Sequence, residues 1–240
     1  MCITIRQDMK ILRFLAGFGI AFIASGEAWG QSFNIDVDVE VGGAEAGAGV
    51  PSTAFGGAAN QPGFWNLLGA ARHTQPYPLF DLAGSATTAT VRWNVSGGGA
   101  GSGMGNNTGD YRLLLNDCTV ISVPTTYHFE NLSPGRYEIT TYAVDRSGRV
   151  FPTEVTVPGA LVPVRVSGSG EMPGDRFVEG VTHSVHTLNL PGTSFDLTAR
   201  ALSHHGSLNG FQLRYTPVPE PLSISALVLG FGILVLRRQR

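Results

Sequence analysis

Strict alternation of apolar and polar residues over residues 33–41 constrains the fold of this chain more than any other feature. The stretch runs Phe-Asn-Ile-Asp-Val-Asp-Val-Glu-Val, so every odd-numbered residue is apolar and every even-numbered residue is polar. Successive side chains of a β-strand point to opposite faces, and a period of two therefore predicts a strand with one buried and one polar face. We expect this half-buried strand to open the folded domain.

Similar runs recur along the chain, with turn sequences between them. The predicted strands are residues 87–95, 111–115, 136–144, 151–157, 161–166, 182–190, 194–199 and 211–215. Breaks such as Met-Pro-Gly-Asp at 172–175 supply turn geometry through Pro and Gly. Helix-length amphipathic patterns are absent from the sequence, and only a short turn is expected near 64–71.

Many short strands without intervening helices predict an all-β protein, and we expect a single jelly-roll-like β-sandwich. An immunoglobulin-like sandwich is the alternative, disfavoured by the length and by a Gly/Ala-rich passage at 42–63. Jelly rolls commonly bring their ends together. We therefore expect strands 33–41 and 211–215 to be neighbours in one sheet, with Arg214 near Asp36 or Asp38.

Composition narrows the class of protein. Only 14% of the 240 residues are charged, 32 are glycine, and the formal net charge is −2. This balance provides no basic surface for nucleic acid and does not match the high charge of a disordered chain. The two cysteines are Cys2 and Cys118. Because Cys2 lies in the leader described next, an internal disulfide is excluded, and Cys118 is expected to be a small packed or loop residue and not a nucleophile.

Residues 1–30 have the organisation of a secretory signal peptide. Basic residues within the first 13 positions precede an apolar run at 14–24, and Ala-Trp-Gly gives a small-x-small cleavage site. Signal peptidase is expected to cut between Gly30 and Gln31. A start at Met9 would give a more compact leader. Residues 31–217 then form the extracytoplasmic domain.

The last 23 residues, 218–240, contain a short motif, an apolar run and a basic cluster in that order. The motif is Val218, Pro219, Glu220 and Pro221; the run is 222–236; the cluster contains Arg237, Arg238 and Arg240. A helix through the run would be about 22 Å long. This is short of the ~30 Å hydrocarbon core but tolerable as a transmembrane helix. The arginines are expected to stay cytoplasmic, which places the preceding domain outside.

This order resembles the PEP-CTERM sorting tail of exported bacterial proteins, with Pro219, Glu220 and Pro221 as its motif. The resemblance implies cleavage near the motif by an exosortase, a membrane enzyme of bacteria that make exopolysaccharide. It also implies a precursor anchored in the inner membrane and a final place at the cell surface or in the extracellular matrix of a Gram-negative-type bacterium. A plain membrane anchor that is never cut is the alternative.

Three short segments add a resemblance to malectin-like and other carbohydrate-binding jelly rolls. They are Gly-Val-Pro-Ser-Thr-Ala-Phe-Gly at 49–56, Asn-Leu-Ser-Pro-Gly-Arg-Tyr at 131–137 and Ser-Leu-Asn-Gly-Phe-Gln-Leu at 207–213. The resemblance supports the fold, and it carries over no binding residue.

Candidate metal ligands are few. His183 and His186 are three residues apart on one predicted strand and should point to opposite faces. Asp36, Asp38 and Glu40 offer oxygen atoms suited to calcium, but their Cα atoms step by about 6.6 Å along a strand, too far for all three to bind one ion without further ligands from a loop. We expect a solvated or arginine-paired polar face there. No catalytic, cofactor-binding or metal-ligating residue is predicted.

Candidate ligand contacts centre on one aromatic residue. Trp65 lies beside Asn66 in a loop-like stretch, with Arg72 nearby. An exposed indole could stack on a sugar ring while the amide and the guanidinium hydrogen-bond its hydroxyl groups.

Two function classes remain open from the sequence. The first is an exported, exosortase-sorted surface or matrix protein that is non-catalytic, associates with exopolysaccharide and binds glycans. The alternative is a secreted enzyme acting on polysaccharide. Such an enzyme would need two carboxyl groups about 5 to 9.5 Å apart. No hydrolase motif surrounds the carboxylates of this sequence, which favours the first class.

Overall fold

The computed structural model describes residues 31–38, 49–69, 73–94, 99–100, 106–145 and 149–218. The predicted leader, most of the sorting motif, the predicted membrane helix, the arginine cluster and Arg72 lie outside these residues. Within them, no helix has the length and apolar character needed to cross a membrane.

The described residues form fourteen strands and one short helix. In chain order they are β1 (Phe33–Asp38), β2 (Trp65–Gly69), β3 (His73–Phe80), β4 (Ala86–Trp93), β5 (Gly99–Ala100), α1 (Gly109–Leu115), β6 (Cys118–Ile121), β7 (Thr125–Glu130), β8 (Gly135–Tyr142), β9 (Thr153–Thr156), β10 (Val164–Ser167), β11 (His183–Leu190), β12 (Phe195–Ala201), β13 (Gly206–Leu208) and β14 (Gly210–Thr216).

Two large sheets make a β-sandwich, which confirms the all-β prediction. Sheet A has the strand order β11-β8-β14-β1-β2, and sheet B has the order β10-β9-β12-β7-β4-β3. A small third sheet, β13-β6-β5, completes the described pairing. Neighbouring strands are antiparallel except β1 and β2, which run parallel.

The main core lies between sheets A and B. Phe33, Ile35 and Val37 of β1 are fully buried there, as their parity predicts. The Phe211 ring of sheet A lies 4.8 Å from the Tyr127 ring and 5.8 Å from the Phe129 ring of sheet B, measured between centroids. Burying a side chain of this size stabilises the fold by about 1.5–3 kcal/mol. Cys118 is also fully buried, as expected for a packed residue.

The first and last strands are neighbours, as predicted. Phe33 of β1 lies opposite Leu213 of β14, and Asp36 lies opposite Gly210. The accompanying prediction for Arg214 was wrong. Arg214 is four positions from Gly210, and its Nη1 lies 3.4 Å from Glu138 Oε1. Glu138 is its direct cross-strand partner on β8, the strand on the other side of β14.

Two local predictions were wrong. Residues 111–115, expected as a strand, belong to helix α1. The stretch expected as a turn near 64–71 contains strand β2. Strands β3, β5, β6, β7 and β13 were not predicted. Two prolines in the β3 sequence His-Thr-Gln-Pro-Tyr-Pro-Leu-Phe obscured it, and they are tolerated because β3 is an edge strand of sheet B.

The outer face of β1 is buried, contrary to the expectation of a solvated or arginine-paired face. Asn34 and Asp36 are both 0% exposed. Asn34 Nδ2 donates to the Gln61 carbonyl at 3.0 Å, and Asn34 Oδ1 accepts from Gln61 Nε2 at 2.9 Å and Gln212 Nε2 at 2.8 Å. The segment 49–64 therefore covers this part of the sheet and replaces water with amide hydrogen bonds. The Asp38 side chain and Glu40 lie outside the described residues.

Candidate functional site: an aromatic cluster on the outer face of sheet A

The segment 49–64 is fixed to sheet A by two buried side chains. Tyr142 OH accepts from the Ala58 N–H at 2.6 Å and donates to Gln212 Oε1, which also accepts from the Ala59 N–H at 3.1 Å. Burial raises the pKa of Tyr142, so the phenol stays neutral and keeps its proton. Gly57 has a positive φ of 57°, and a Cβ there would collide with both Gln212 Oε1 and Tyr142 OH. The close approach of this segment therefore requires glycine.

Three half-buried rings meet above this face. We call Phe55, Tyr111 and Phe177 the aromatic cluster. Phe55 comes from the segment 49–64, Tyr111 from α1, and Phe177 from the segment between β10 and β11. The Tyr111 centroid lies 5.1 Å from Phe55 and 4.8 Å from Phe177, and Phe55 and Phe177 are 5.9 Å apart. Such distances are typical of packed aromatic pairs.

A second, smaller core supports the aromatic cluster from below. Its buried members are Trp65, Leu114, Leu115, Tyr142 and Val144. Leu114 and Leu115 follow Tyr111 at the i+3 and i+4 positions, so α1 turns one face toward the sheet. The aromatic cluster thus rests on a packed layer, and its three rings are only partly buried.

The structure places Trp65 and Asn66 in β2, below the surface. Trp65 is 2% exposed, and its Nε1 donates to the Phe55 carbonyl at 3.4 Å. Asn66 is also 2% exposed; its Nδ2 donates to the carbonyls of Asn34 and Phe80 at 3.0 and 2.8 Å. The loop placement predicted for this pair was wrong. The predicted contact with a ligand required an exposed indole of Trp65 and an unbonded amide of Asn66. In β2 the indole is buried and the amide is hydrogen-bonded.

Two carboxylates fasten the segments that carry the rings. Asp110 of α1 accepts from Ser52 N–H and Ser52 Oγ, each at 2.7 Å. Asp175 accepts from Thr108 N–H at 2.7 Å and from the Thr108 hydroxyl. These bonds favour the charged form and hold the pKa of Asp175 below its usual value. Asp110 thus ties the Phe55 segment to α1, and Asp175 ties the Phe177 segment to the start of α1.

The two histidines of β11 lie on opposite faces of sheet A, as predicted. His183 lies 6.2 Å from Tyr142 and 6.1 Å from Phe177 between ring centroids, beside the aromatic cluster. His186 is fully buried on the inner side, where burial and the nearby Arg165 lower its pKa to about 4. In the part of the chain that the structure describes, no three His, Cys, Asp or Glu side chains are grouped as a metal site would require.

Sequence reasoning missed the aromatic cluster for identifiable reasons. The spacing of Tyr111, Leu114 and Leu115, with Asp110 in the first turn, was a helix signal that could have placed Tyr111. Phe55 and Phe177 lie in irregular segments without periodicity, and their meeting depends on the long-range bonds of Asp110 and Asp175.

Comparison with known proteins assigns no family to this chain. No protein-family model matches the chain, and no curated protein matches it. A β-glucuronidase of Bacteroides uniformis aligns over 63% of this chain and 15% of its own, with 17% identity and a TM-score of 0.36. The ANXUR2 extracellular domain of Arabidopsis thaliana aligns over 78% and 42%, with 8% identity and a TM-score of 0.41. The chain thus spans less than half of either structure, and scores this low assign no function to it.

Proposed function

We propose that this is an exported, non-catalytic surface or matrix protein that binds polysaccharide through its aromatic cluster. The observation that carries the proposal is the meeting of Phe55, Tyr111 and Phe177 from three separate segments, each ring half-buried. Aromatic faces and edges suit the apolar C–H surfaces of sugar rings, and the phenol of Tyr111 adds a polar tip. The bonds of Asp110 and Asp175 support a pre-organised site, which lowers the entropic cost of binding.

The proposed domain organisation follows the sequence. Signal peptidase removes residues 1–30, residues 31–217 form a jelly-roll-like domain, and exosortase acts at the motif Val218 to Pro221. Two observations support these limits. Gln31 Oε1 accepts from the Ser133 N–H at 3.0 Å, so the residue at the proposed new N-terminus is bonded to the domain. Val218 is 61% exposed, which would leave the start of the motif accessible to a processing enzyme.

The absence of turnover is part of the proposal. Glycoside hydrolysis needs two free carboxyl groups facing one bond. Several described carboxylates are already engaged. Asp110 bonds Ser52, and Asp175 bonds Thr108. Four more pair with cationic groups or a histidine: Glu130 with Arg92, Glu138 with Arg214, Glu154 with Arg200, and Asp196 with His128. These pairs support structural roles for the acids.

A binding and turnover experiment tests the proposal. The full-length chain, purified in a non-glycosidic detergent, is titrated with neutral and acidic bacterial exopolysaccharides and assayed for release of reducing sugar. We expect binding without release, and loss of binding in Tyr111→Ala and Phe177→Ala. Tyr77→Ala is the matched control, because Tyr77 also packs partly buried, against Trp93 at 6.2 Å in sheet B. Sugar release that disappears when a carboxylate is neutralised would overturn the non-catalytic assignment.

Sorting is tested separately. In a host with an exosortase, mass spectrometry of the surface form should show a C-terminus near Pro219 to Pro221, and alanine substitution of these residues should block sorting while export continues. A surface form that still ends at Arg240 would count against cleavage.

A further inference from the structure

A cleft opens where the edges of the two large sheets meet. β10 is the edge strand of sheet B, and β11 is the edge strand of sheet A. The Leu161 N–H donates to the Thr187 carbonyl at 2.9 Å, and the Gly168 N–H donates to the Val181 carbonyl at 2.9 Å. Between these two bonds, within the continuously described range 149–218, β10 pairs with β9 alone. The seam is thus closed at both ends and open in the middle.

The opening has the size of a ligand site. Its volume is about 620 Å³, within the usual range for small-ligand pockets. Its lining consists of Val162, Val164, Arg165, Val166, Glu179, Gly180 and Ser184. Val162, Val164 and Val166 are exposed valines, and Arg165, Glu179 and Ser184 supply the polar side chains of the lining.

Two polar atoms in this cleft have no hydrogen-bond partner in the part of the chain that the structure describes. Ser184 is 1% exposed, and its hydroxyl has no hydrogen-bond partner among the described residues. Arg165 Nε is buried and equally unpartnered there, while its Nη1 lies 3.4 Å from Glu179 Oε1, a long ion pair. Buried polar groups in native proteins are nearly always hydrogen-bonded, so these two atoms have hydrogen-bonding capacity left for a ligand.

The polar set matches adjacent hydroxyl groups of a sugar. A hydroxyl both donates and accepts, so neighbouring hydroxyls could accept from Arg165 Nε and donate to Glu179 while bonding Ser184 Oγ. Arg165 and Glu179 together carry no net charge, which disfavours a phosphate or an acidic ligand. The exposed valines of the lining suit the C–H groups of a sugar ring.

The cleft adjoins the aromatic cluster along the chain. Glu179 follows Phe177 by two residues, so their Cα atoms are at most about 7 Å apart. We infer that the cleft is a second subsite for the polysaccharide that stacks on the aromatic cluster, and that the preferred ligand is a neutral chain of several sugar units. This inference rests on the proposed function.

Calorimetry with neutral gluco-, manno- and galacto-oligosaccharides of increasing length tests it on the full-length chain. Affinity should rise with length, and Ser184→Ala and Glu179→Gln should each weaken binding of the longer chains about threefold to tenfold, the worth of one hydrogen bond. Disaccharide binding should not change. Ser184→Ala removes an unpartnered hydroxyl and should fold normally. Glu130→Gln is the matched control, since Glu130 also pairs with an arginine, Arg92, at 3.0 Å.

The outcomes separate the two proposals. Loss of binding in Tyr111→Ala at every length, with unchanged binding in both cleft variants, would overturn the second subsite and leave the proposed function standing. An unaltered chain that binds no polysaccharide would overturn both. Cleft variants that change only the sedimentation of the protein would identify an interface between copies of the chain and overturn the subsite.

Discussion

The two faces of strand β1 are equally buried but are built from different chemistry. Phe33, Ile35 and Val37 enter an apolar core between the sheets, whereas Asn34 on the other face bonds Gln61 of the segment 49–64. The stabilising free energy of apolar contacts grows in proportion to the apolar area that they bury. A buried amide contributes little net energy when satisfied and costs much more when its partner is lost. The inner face therefore supplies stability, and the outer face specifies how one segment docks.

The largest effect should come from the inner face. Phe211→Ala removes a fully buried ring that contacts Tyr127 and Phe129, and it should lower the free energy of unfolding by about 3–5 kcal/mol. Urea denaturation measures the loss. Phe64→Ala is the control, because Phe64 is 36% exposed and should cost far less. Equal losses in the two variants would contradict the location of the core.

Acidification should lower the stability of the protein through His186, a buried polar residue on the inner face of sheet A. The pKa of His186 is lowered to about 4 by burial and by Arg165, against the opposing effect of the Val155 and Pro163 carbonyls. The unfolded chain, with a histidine pKa near 6.5, binds the extra proton first, so stability should fall as pH drops from about 6.5 to 4. The loss is up to about 3 kcal/mol.

Urea midpoints at neutral and acidic pH measure this effect, and His186→Gln should remove most of it. Burial also lowers the pKa of His183, so a smaller dependence of the same sign should remain. His128→Gln, at a half-exposed position beside Asp196, is the control. An unchanged pH dependence in His186→Gln would refute the assignment.

The outer face is tested at the position next to Phe211. Gln212→Leu keeps the bulk but leaves the Ala59 N–H and Asn34 Oδ1 each short of a partner, at a cost of about 2 kcal/mol in unfolding free energy. Combining it with Asn34→Leu should cost less than the sum of the two single changes, because one buried group loses its partner only once. Additive losses would show that the amides act independently.

The sequence predicted which side chains share one face of a strand, but it did not predict whether that face is exposed to solvent or covered by another segment. Alternation correctly assigned Phe33, Ile35 and Val37 to the core, and it gave the strands near β4, β8, β11, β12 and β14. It could not show that a Gly/Ala-rich segment folds back over Asn34, since that depends on Gln61, Gln212 and Tyr142 from distant parts of the chain. The same long-range dependence hid the aromatic cluster.

The smallest effect should come from the exposed edge of the outer layer, where Asp175 holds Thr108. Asp175→Asn removes a charged acceptor for the Thr108 N–H and hydroxyl. Because Asp175 is exposed, global stability should hardly change. The local effect should appear as faster hydrogen exchange of the Thr108 amide, since the segment carrying Phe177 would open more often.

The pH dependence of this exchange has a defined sign. The pKa of Asp175 is lowered in the folded protein. The stabilisation from its charged hydrogen bonds to Thr108 is therefore fully present above the ordinary aspartate pKa, and it is lost as the pH falls through the lowered value. Protection of Thr108, corrected for intrinsic exchange, should therefore fall in acid for the unaltered chain and stay constant in Asp175→Asn. Asp196→Asn, which changes another exposed carboxylate, should leave Thr108 unaffected. If Asp175→Asn lowers glycan affinity without unfolding the chain, the carboxylate acts by positioning Phe177. The outer layer would then serve binding, while the inner core serves stability.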